Sequence, residues 1–127
     1  MTRVFDASAV LAAIFEEPGA DQVVALWSEG ENLLSAVNYA EVVSKLAERG
    51  MNTVEISAVI EAVPLSITAF DRRTAHEAGL LRPATKPLGL SLGDRACLAL
   101  GIVRKARVIT AERIWKKLKG IDIDVIR

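Results

Sequence analysis

The segment from Leu90 to Gly101 constrains the fold more than any other part of the sequence. From Ala96 to Val103 it contains no polar side chain apart from the thiol of Cys97. A helix that is apolar on all sides belongs in a protein interior, so the segment predicts a buried helix. Asp94 lies at the start of that helix. A carboxylate at the edge of an apolar element is costly without a partner, and the remaining sequence must supply one.

Hydrophobic periodicity and turn residues divide the chain into five short strands separated by helices. The strands are expected at Thr2–Phe5, Asn32–Ala36, Pro64–Thr68, Arg107–Thr110 and Ile121–Ile126. The helices are expected at Ala9–Phe15, Ala20–Ser28, Asn38–Arg49, Thr53–Val63, Ala69–Leu81, from Asp94 onward, and Glu112–Leu118. Ser8, Asn38 and Thr53 are the expected N-caps. The segment Arg82–Gly93, with two prolines and two glycines, is expected to be a loop.

Strands that alternate with helices favour a parallel sheet covered by helices on both faces. The expected fold class is therefore α/β, with residues 1–127 forming one domain. The composition, 51% hydrophobic and only 5% aromatic, is typical of an aliphatic core. No apolar run approaches the roughly 20 residues that span a bilayer, and the N-terminus lacks the apolar region of a signal peptide. A single cysteine cannot form an internal disulfide, so we expect a cytoplasmic protein in which Cys97 is a buried structural thiol.

The charges are unevenly distributed along the chain. Residues 1–64 contain 3 Lys/Arg and 10 Asp/Glu, whereas residues 65–127 contain 13 Lys/Arg and 6 Asp/Glu. A basic second half is typical of proteins that bind nucleic acid or an acidic partner. Folding can also intermix the halves so that both faces become neutral, and charge alone does not decide between these outcomes.

Four acids are expected to meet at one edge of the sheet, where α/β proteins bind ligands. Asp6 directly follows the first strand, and Glu41 is expected in the first turn of the helix after the second strand. Asp94 begins the apolar helix, and Glu112 lies just past the fourth strand. Converging carboxylates repel one another. A cation that prefers oxygen ligands, Mg²⁺ or Mn²⁺, would relieve that repulsion.

Each acid also has an explanation that requires no metal. The helix dipole favours acids in first turns, and both Asn38-x-x-Glu41 and Ser91-x-x-Asp94 have the spacing of a capping box. Glu41 and Glu112, taken singly, resemble ordinary surface acids. Asp6 and Asp94 are harder to explain in this way because their neighbours are apolar. The residue pattern alone leaves a metal site and helix-start acids both open.

Several other mechanisms lack the residues they need. The only histidine, His76, lies beside charged residues in a helix and is expected at the surface, so Ser-His pairs, Cys-His pairs and zinc sites are not expected. The sequence has no Gly-rich phosphate loop. Asp6-Ala7-Ser8 lacks the second aspartate that an aspartyl-phosphate phosphatase uses. Metal-activated water is then the expected nucleophile if the chain is an enzyme.

Four segments carry a family resemblance over nearly the whole chain: Phe5 to Ala12, Asn38 to Val42, Leu90 to Leu100, and Val108 to Trp115. In order and spacing they resemble the PIN domain, and within it the VapC ribonuclease toxins of prokaryotic type II toxin–antitoxin pairs. The resemblance implies a three-layer α/β/α sandwich with a five-stranded parallel sheet, commonly in a homodimer.

The resemblance also assigns roles to individual residues. It implies that Asp6, Glu41 and Asp94 hold Mg²⁺ or Mn²⁺, that Ser8 supports the first acid, and that Thr110 lies at the edge of the site. Glu112 completes the implied catalytic set, although the family more often has aspartate at this position. The extra methylene of Glu112 shifts its carboxylate, which affects a second metal site more than the first.

The implied activity is Mg²⁺- or Mn²⁺-dependent endoribonuclease activity, in which a metal-activated water cleaves RNA to leave a 5′-phosphate and a 3′-hydroxyl. Basic residues of the second half would hold the RNA backbone, namely Arg82, Lys86, Arg95, Arg113 and Lys116. A cognate VapB-type antitoxin would wrap the toxin, and its expected groove comprises Leu11, Ile14, Phe15, Val24 and Trp27. We expect Trp27 to be the exposed anchor of that groove.

Other functions remain open from the sequence. Within the same fold, the chain could be a housekeeping RNA-processing nuclease, or a PIN domain that has lost catalysis and only binds RNA or a partner. A phosphoacceptor signalling domain would need an acidic pair early in the chain and an aspartate directly after the third strand. Asp6 has no adjacent acid, and Ile67-Thr68-Ala69 provides no such aspartate, so this alternative is disfavoured.

Overall fold

The central sheet of the computed structural model, which describes all residues from Met1 to Arg127, consists of five parallel strands. The strands are β1 (Thr2–Phe5), β2 (Glu31–Ser35), β3 (Ser66–Thr68), β4 (Arg107–Thr110) and β5 (Ile123–Val125). Their spatial order is β3-β2-β1-β4-β5, and every pairing is parallel. The five predicted strands are all present: β1 and β4 have the predicted ends, and the ends of the other three lie within two residues of the predictions.

Seven α-helices connect the strands. They are α1 (Ala7–Ile14), α2 (Ala20–Trp27), α3 (Ala36–Glu48), α4 (Thr53–Glu61), α5 (Arg72–Leu80), α6 (Arg82–Thr85) and α7 (Leu92–Arg104). Two 3₁₀ helices cover Lys86–Leu88 and Arg113–Lys117. No helix in this set is both long enough and apolar enough to cross a bilayer.

Each face of the sheet has its own hydrophobic core, because successive residues of a strand point to opposite faces. On one face, Phe5 and Leu34 pack in a cluster with buried residues of α1, α2 and α3. On the other face, Val4 and Val108 pack with buried residues of α7 and with Trp115. Helices therefore cover both faces, and the predicted α/β/α sandwich is confirmed.

The middle of helix α7 is buried on all sides, as its sequence predicted, whereas Ile102 and Val103 near its end are half-buried. Every residue from Ala96 to Gly101 is buried. The helix lies on β1 and β4 and packs against α3 and α5. Gly101 allows the closest approach, since a Cβ at this position would collide with the side chain of Val108. Cys97 is fully buried, and burial raises the pKa of its thiol well above the usual range, as expected of a structural cysteine.

The helix starts differ from the sequence predictions. Helix α3 begins at Ala36 because the Ser35 side chain accepts a hydrogen bond from the Val37 backbone, so Asn38 is not its N-cap. Asn52, not Thr53, caps α4, because the Asn52 side chain accepts from the Glu55 backbone in a capping box. Helix α1 follows β1 directly and begins at Ala7. Asp6 is therefore the residue at its N-cap position, and Ser8 lies inside the helix.

The segment from Arg82 to Gly93 is not the predicted loop. It contains α6 and the 3₁₀ helix Lys86–Leu88, each with a proline in its first turn. A proline is compatible with a first helical turn, where its missing N–H has no helical partner. The predicted helix at Glu112–Leu118 is instead the 3₁₀ helix Arg113–Lys117.

Candidate active site

The predicted acids Asp6, Glu41, Asp94 and Glu112 line one cavity of about 510 Å³ at the carboxyl edge of the sheet. Lys45 of α3 lines the same cavity. A somewhat larger cavity, of about 640 Å³, lies along residues 16–22 and contains surface acids of a single loop and helix start. The four-acid cavity is distinguished by carboxylates that come from separate segments of the chain.

Asp6 is the most buried of these acids, with 3% of its surface exposed. It follows β1, and its backbone N–H continues the sheet by donating to the Ile109 carbonyl (2.8 Å). Its side chain does not cap α1. Instead, Asp6 Oδ2 accepts hydrogen bonds from Ser8 Oγ (2.6 Å) and Thr110 Oγ1 (3.1 Å). Ser8 and Thr110 thus orient Asp6. The family resemblance implied this support for Ser8, whereas for Thr110 it implied only a place at the edge of the site.

The hydroxyl groups around Asp6 are themselves held by backbone groups. Ser8 Oγ accepts from the Ala111 N–H (3.0 Å), and Thr110 Oγ1 accepts from the Glu112 N–H (3.0 Å). These bonds connect the start of α1 to the end of β4. They also place the backbone of Glu112 beside Asp6, although the Glu112 side chain is exposed and makes no hydrogen bond.

Glu41 lies in the second turn of α3, because the helix begins five residues before it. The helix dipole favours acids mainly in the first turn, so it does not explain Glu41. Asn38 Nδ2 donates to Glu41 Oε1 (2.7 Å) and to the carbonyl of Gly93 (3.0 Å). The predicted capping box at Asn38-x-x-Glu41 is therefore wrong, and the pair is a side-chain contact that also joins α3 to α7.

Asp94 occupies the position that its sequence spacing predicted. Ser91 Oγ accepts from the Asp94 N–H (3.2 Å), and Asp94 Oδ2 accepts from the Ser91 N–H (2.8 Å), which completes a capping box. The capping box fixes Asp94 to the first turn of the buried helix α7. Capping therefore explains one carboxylate oxygen of Asp94, and the other oxygen makes no hydrogen bond within the chain.

Asp6 and Glu41 resemble Asp94, because in each of them only one carboxylate oxygen is hydrogen-bonded. One oxygen each of Asp6, Glu41 and Asp94 accepts the hydrogen bonds described above, while Asp6 Oδ1, Glu41 Oε2 and Asp94 Oδ1 accept none. No Lys, Arg or His forms an ion pair with any acid of the cavity. The cavity thus combines fixed carboxylates with uncompensated negative charge.

This uncompensated charge is reflected in the pKa values of two acids. Burial, reinforced by the negative charges of Asp94 and Glu41, raises the pKa of Asp6 to about 7, although its bonds to Ser8 and Thr110 act in the opposite direction. Burial and the charge of Asp94 also raise the pKa of Glu41, against a lowering by Asn38. Shifts of this kind are typical of functional sites as well as of buried ion networks.

The donor set fits a divalent cation in its chemistry. It provides carboxylate oxygens without nitrogen or sulfur ligands, which hard cations such as Mg²⁺ and Mn²⁺ prefer. A bound cation would also offset the burial and the neighbouring negative charges that raise the pKa of Asp6. In their present rotamers, however, no three of the acids are close enough together to hold one ion. Ligation of one ion by three carboxylates therefore requires that at least one of these side chains moves.

The five predicted RNA-binding residues lie outside this cavity. The guanidinium of Arg95 donates to the Ala78 carbonyl (3.1 Å) and so connects α7 to α5. Arg113 donates to the carbonyl of Arg127 (3.2 Å). Lys116 is exposed on the 3₁₀ helix, and Arg82 and Lys86 belong to the segment between α5 and α7.

The predicted partner groove is less exposed than its sequence indicated. Leu11, Ile14, Phe15 and Trp27 are half-buried and pack against the core. The expectation that Trp27 is an exposed anchor is wrong, because its ring packs near that of Phe5, at a centroid distance of 6.2 Å. Val24, at 53% exposure, is the member of the set that faces solvent.

Sequence reasoning missed three residues of the cavity region. Lys45 lies one helical turn beyond Glu41 and lines the cavity. Its spacing of four residues from Glu41 places both on the same helix face, so the sequence could have indicated it. Asn38 was interpreted as a cap, and Gly93 as part of a loop. Their contacts join segments 55 residues apart, which no local pattern indicates.

Comparison with family models gives a match to the PIN domain over residues 3–121. The chain belongs to the PIN domain family. Comparison with curated proteins gives no match.

Solved structures of other PIN proteins have the same fold. VapBC2 of Rickettsia felis, bound to a fragment of its promoter DNA, matches with a TM-score of 0.79 at 16% identity, over 100% of both chains. A toxin–antitoxin complex from Klebsiella pneumoniae matches with a TM-score of 0.79 at 18% identity, over 98% of both chains. VapC20 of Mycobacterium tuberculosis, a toxin that cleaves the sarcin-ricin loop, matches with a TM-score of 0.72 at 13% identity, over 94% of this chain and 95% of that one.

Proposed function

We propose that this PIN domain is a divalent-metal-dependent endoribonuclease of the VapC type, the toxin of a type II toxin–antitoxin pair. The observation that carries the proposal is the cavity lined by carboxylates from four separate segments, none of which forms an ion pair with a basic residue. PIN domains are in general nucleases that use divalent metals. The structural likeness to VapBC complexes and to VapC20 supports the toxin class within that family.

The residues divide into three roles under this proposal. Asp6, Asp94 and Glu41 would hold the cation, since each has one carboxylate oxygen that makes no hydrogen bond within the chain. Ser8 and Thr110 keep Asp6 in one orientation. Glu112, exposed at the rim, is available to orient water or RNA at the entrance. When bound, Mg²⁺ or Mn²⁺ acidifies water and stabilises negative charge on a phosphodiester.

RNA would approach from the open side of the cavity, with its phosphates held by basic residues of the second half of the chain. The predicted set is Arg82, Lys86, Arg95, Arg113 and Lys116. Arg95 contributes least, because its guanidinium is already bonded to the Ala78 carbonyl. The predicted homodimer also remains a proposal, and light scattering tests it.

Expression in a bacterial host without an antitoxin tests the toxin proposal. We expect the wild-type chain to arrest growth and to generate RNA fragments with 5′-phosphate ends. Asp94→Asn, which keeps the shape of the side chain but removes its charge, should do neither. Asp124→Asn is a matched control, because Asp124 is exposed on β5, outside the cavity. Equal growth arrest by the wild type and Asp94→Asn would contradict the proposal.

A further inference from the structure

We propose that Asn38 is a positioning residue, which holds the Glu41 carboxylate against the backbone of Gly93 and thereby sets the place of Glu41 beside Asp94. The inference rests on the proposed function, in which Glu41 and Asp94 hold the same cation. It assigns to Asn38 and Gly93 a role in the site, although neither supplies a ligand.

The hydrogen bonds of Asn38 are those of a bridge between two helices. Asn38 is fully buried, and its Nδ2 donates both to Glu41 Oε1 (2.7 Å) and to the Gly93 carbonyl (3.0 Å). An amide nitrogen has two hydrogens, so one side chain can make both bonds, whereas a serine or threonine hydroxyl has only one hydrogen to donate. The residue type therefore matches the two acceptors.

The other end of the Asn38 amide has no partner within the chain. Asn38 Oδ1 is buried and has no hydrogen-bond partner. An unsatisfied buried acceptor destabilises the folded state. An apolar side chain of similar size would leave no acceptor unpaired, but it could donate neither of the two hydrogen bonds. The inference therefore rests on the donor group of Asn38 and on its contact with Glu41.

Gly93 provides the space that the Glu41 carboxylate occupies. A Cβ on Gly93 would lie 2.5 Å from Glu41 Oε1 and 2.7 Å from Glu41 Cδ and Oε2. Gly93 has no left-handed backbone conformation that would by itself require glycine. Room for Glu41 is therefore the physical reason for glycine here, and alanine would push the carboxylate away.

Two constraints consequently fix the acids of α3 and α7 relative to each other. Asn38 and Gly93 hold Glu41 against the first turn of α7. The capping box with Ser91 holds Asp94 in the same turn, one residue after Gly93. Loss of either Asn38 or the space at Gly93 should loosen Glu41 without affecting the capping box.

Binding of Mn²⁺ alone, measured by calorimetry on the folded protein, tests this inference. We expect Asn38→Ala and Gly93→Ala each to weaken Mn²⁺ binding by about fivefold or more. Matched controls are Asn32→Ala, a buried asparagine of β2 that likewise has an unpartnered Oδ1, and Gly79→Ala, a helical glycine with open space around it. The controls should leave Mn²⁺ affinity within about twofold of wild type.

A second background separates positioning from general destabilisation. In a Glu41→Ala protein, Asn38→Ala should cause no further loss of Mn²⁺ affinity, because the group that Asn38 positions is gone. If Asn38→Ala lowers Mn²⁺ affinity by the same factor in the wild-type and the Glu41→Ala protein, the inference is overturned. If Asn38→Ala does not fold, Gly93→Ala decides the question by the same comparison, since Glu41→Ala removes the carboxyl group that a Cβ on Gly93 would meet.

A metal-free readout distinguishes failure of this inference from failure of the proposed function. In a crystal structure of Asn38→Ala, the Glu41 carboxylate should have left the space above Gly93. A carboxylate that stays in place overturns the inference, even if the wild type binds Mn²⁺ and cleaves RNA. Absence of Mn²⁺ binding by the wild type contradicts the proposed function, and the position of Glu41 in the variant still decides the role of Asn38.

Discussion

Asp6 is the residue at which the fold places a charge at the greatest cost. It is almost completely buried, its pKa is raised to about 7 from an ordinary value of 3.8, and two neighbouring acids contribute to that shift. Between these two pH values, the folded chain holds a proton that the unfolded chain releases. The free energy of unfolding therefore contains a contribution from Asp6 that is fully present below pH 3.8 and is lost as the pH rises through about 7.

We predict that Asp6→Asn removes this pH dependence in protein kept metal-free with EDTA. Relative to wild type, the free energy of unfolding of the variant should rise by on the order of 2–3 kcal/mol between pH 5 and pH 8, because wild-type Asp6 ionises over that interval. Urea unfolding at several pH values measures the difference. A difference between the two proteins that does not change with pH would contradict the raised pKa.

Among the helices and strands, α7 is the element that supports the site. It carries Asp94 in its first turn, and the buried stretch Ala96–Gly101 packs against the sheet and against α3. A carboxylate on such an element has few ways to move, and rigid support of its ligands is what a preorganised metal site requires. The helix also contacts the carboxylate of α3 through the backbone of Gly93.

The close packing of α7 on β4 is tested by Gly101→Ala. A Cβ on Gly101 would collide with the side chain of Val108, which is fully buried. We expect a loss of about 1–3 kcal/mol in the free energy of unfolding. Gly79→Ala in α5, where nothing lies within 4 Å of the added Cβ, should instead stabilise by about 0.5–1 kcal/mol. Equal effects of both changes would contradict the packing described for α7.

The elements were largely predictable from the sequence because their signals are local. Apolar runs predicted the strands and the buried helix α7, and the spacing of Ser91 and Asp94 predicted their capping box. Helix starts were less predictable, since neighbouring polar residues compete for each cap, as Ser35 and Asn38 do at α3. The Asn38 bridge was not predictable, because its second acceptor is 55 residues away in sequence. The meeting of the acids followed only from the assumption of a parallel sheet, which the fold confirms.

At the scale of the whole molecule, the acidic and basic halves of the sequence contribute helices to different faces of the sheet. Helices α1–α4 belong to the acidic half and lie on one side of the sheet, whereas α5–α7 belong to the basic half and lie on the other. The acidic cavity lies at the edge between these layers. The layer α1–α4 also carries the predicted partner groove, so the proposed RNA-binding residues and the proposed partner surface come from different halves of the chain.

Substitutions of two exposed apolar residues should affect partner binding differently. Val24 on α2 is 53% exposed and Leu80 on α5 is 62% exposed, so a lysine at either position is compatible with the fold. If a small antitoxin encoded beside this gene covers the predicted groove, Val24→Lys should weaken its binding by about tenfold or more, because a charge would be buried in an apolar contact. Leu80→Lys should not weaken it. Calorimetric titration of the purified pair measures both, and unchanged affinity of Val24→Lys would exclude α2 from the interface.

RNA cleavage by the purified chain tests the central claim most directly, since it joins the four-acid cavity to its proposed chemistry. With Mg²⁺ or Mn²⁺ present, we predict that the wild type and Asp124→Asn cleave RNA to fragments with 5′-phosphate ends. EDTA should abolish this cleavage, and Asp94→Asn should reduce it by about a hundredfold or more. Cleavage by Asp94→Asn at the wild-type rate, or cleavage that persists in EDTA, would contradict the account.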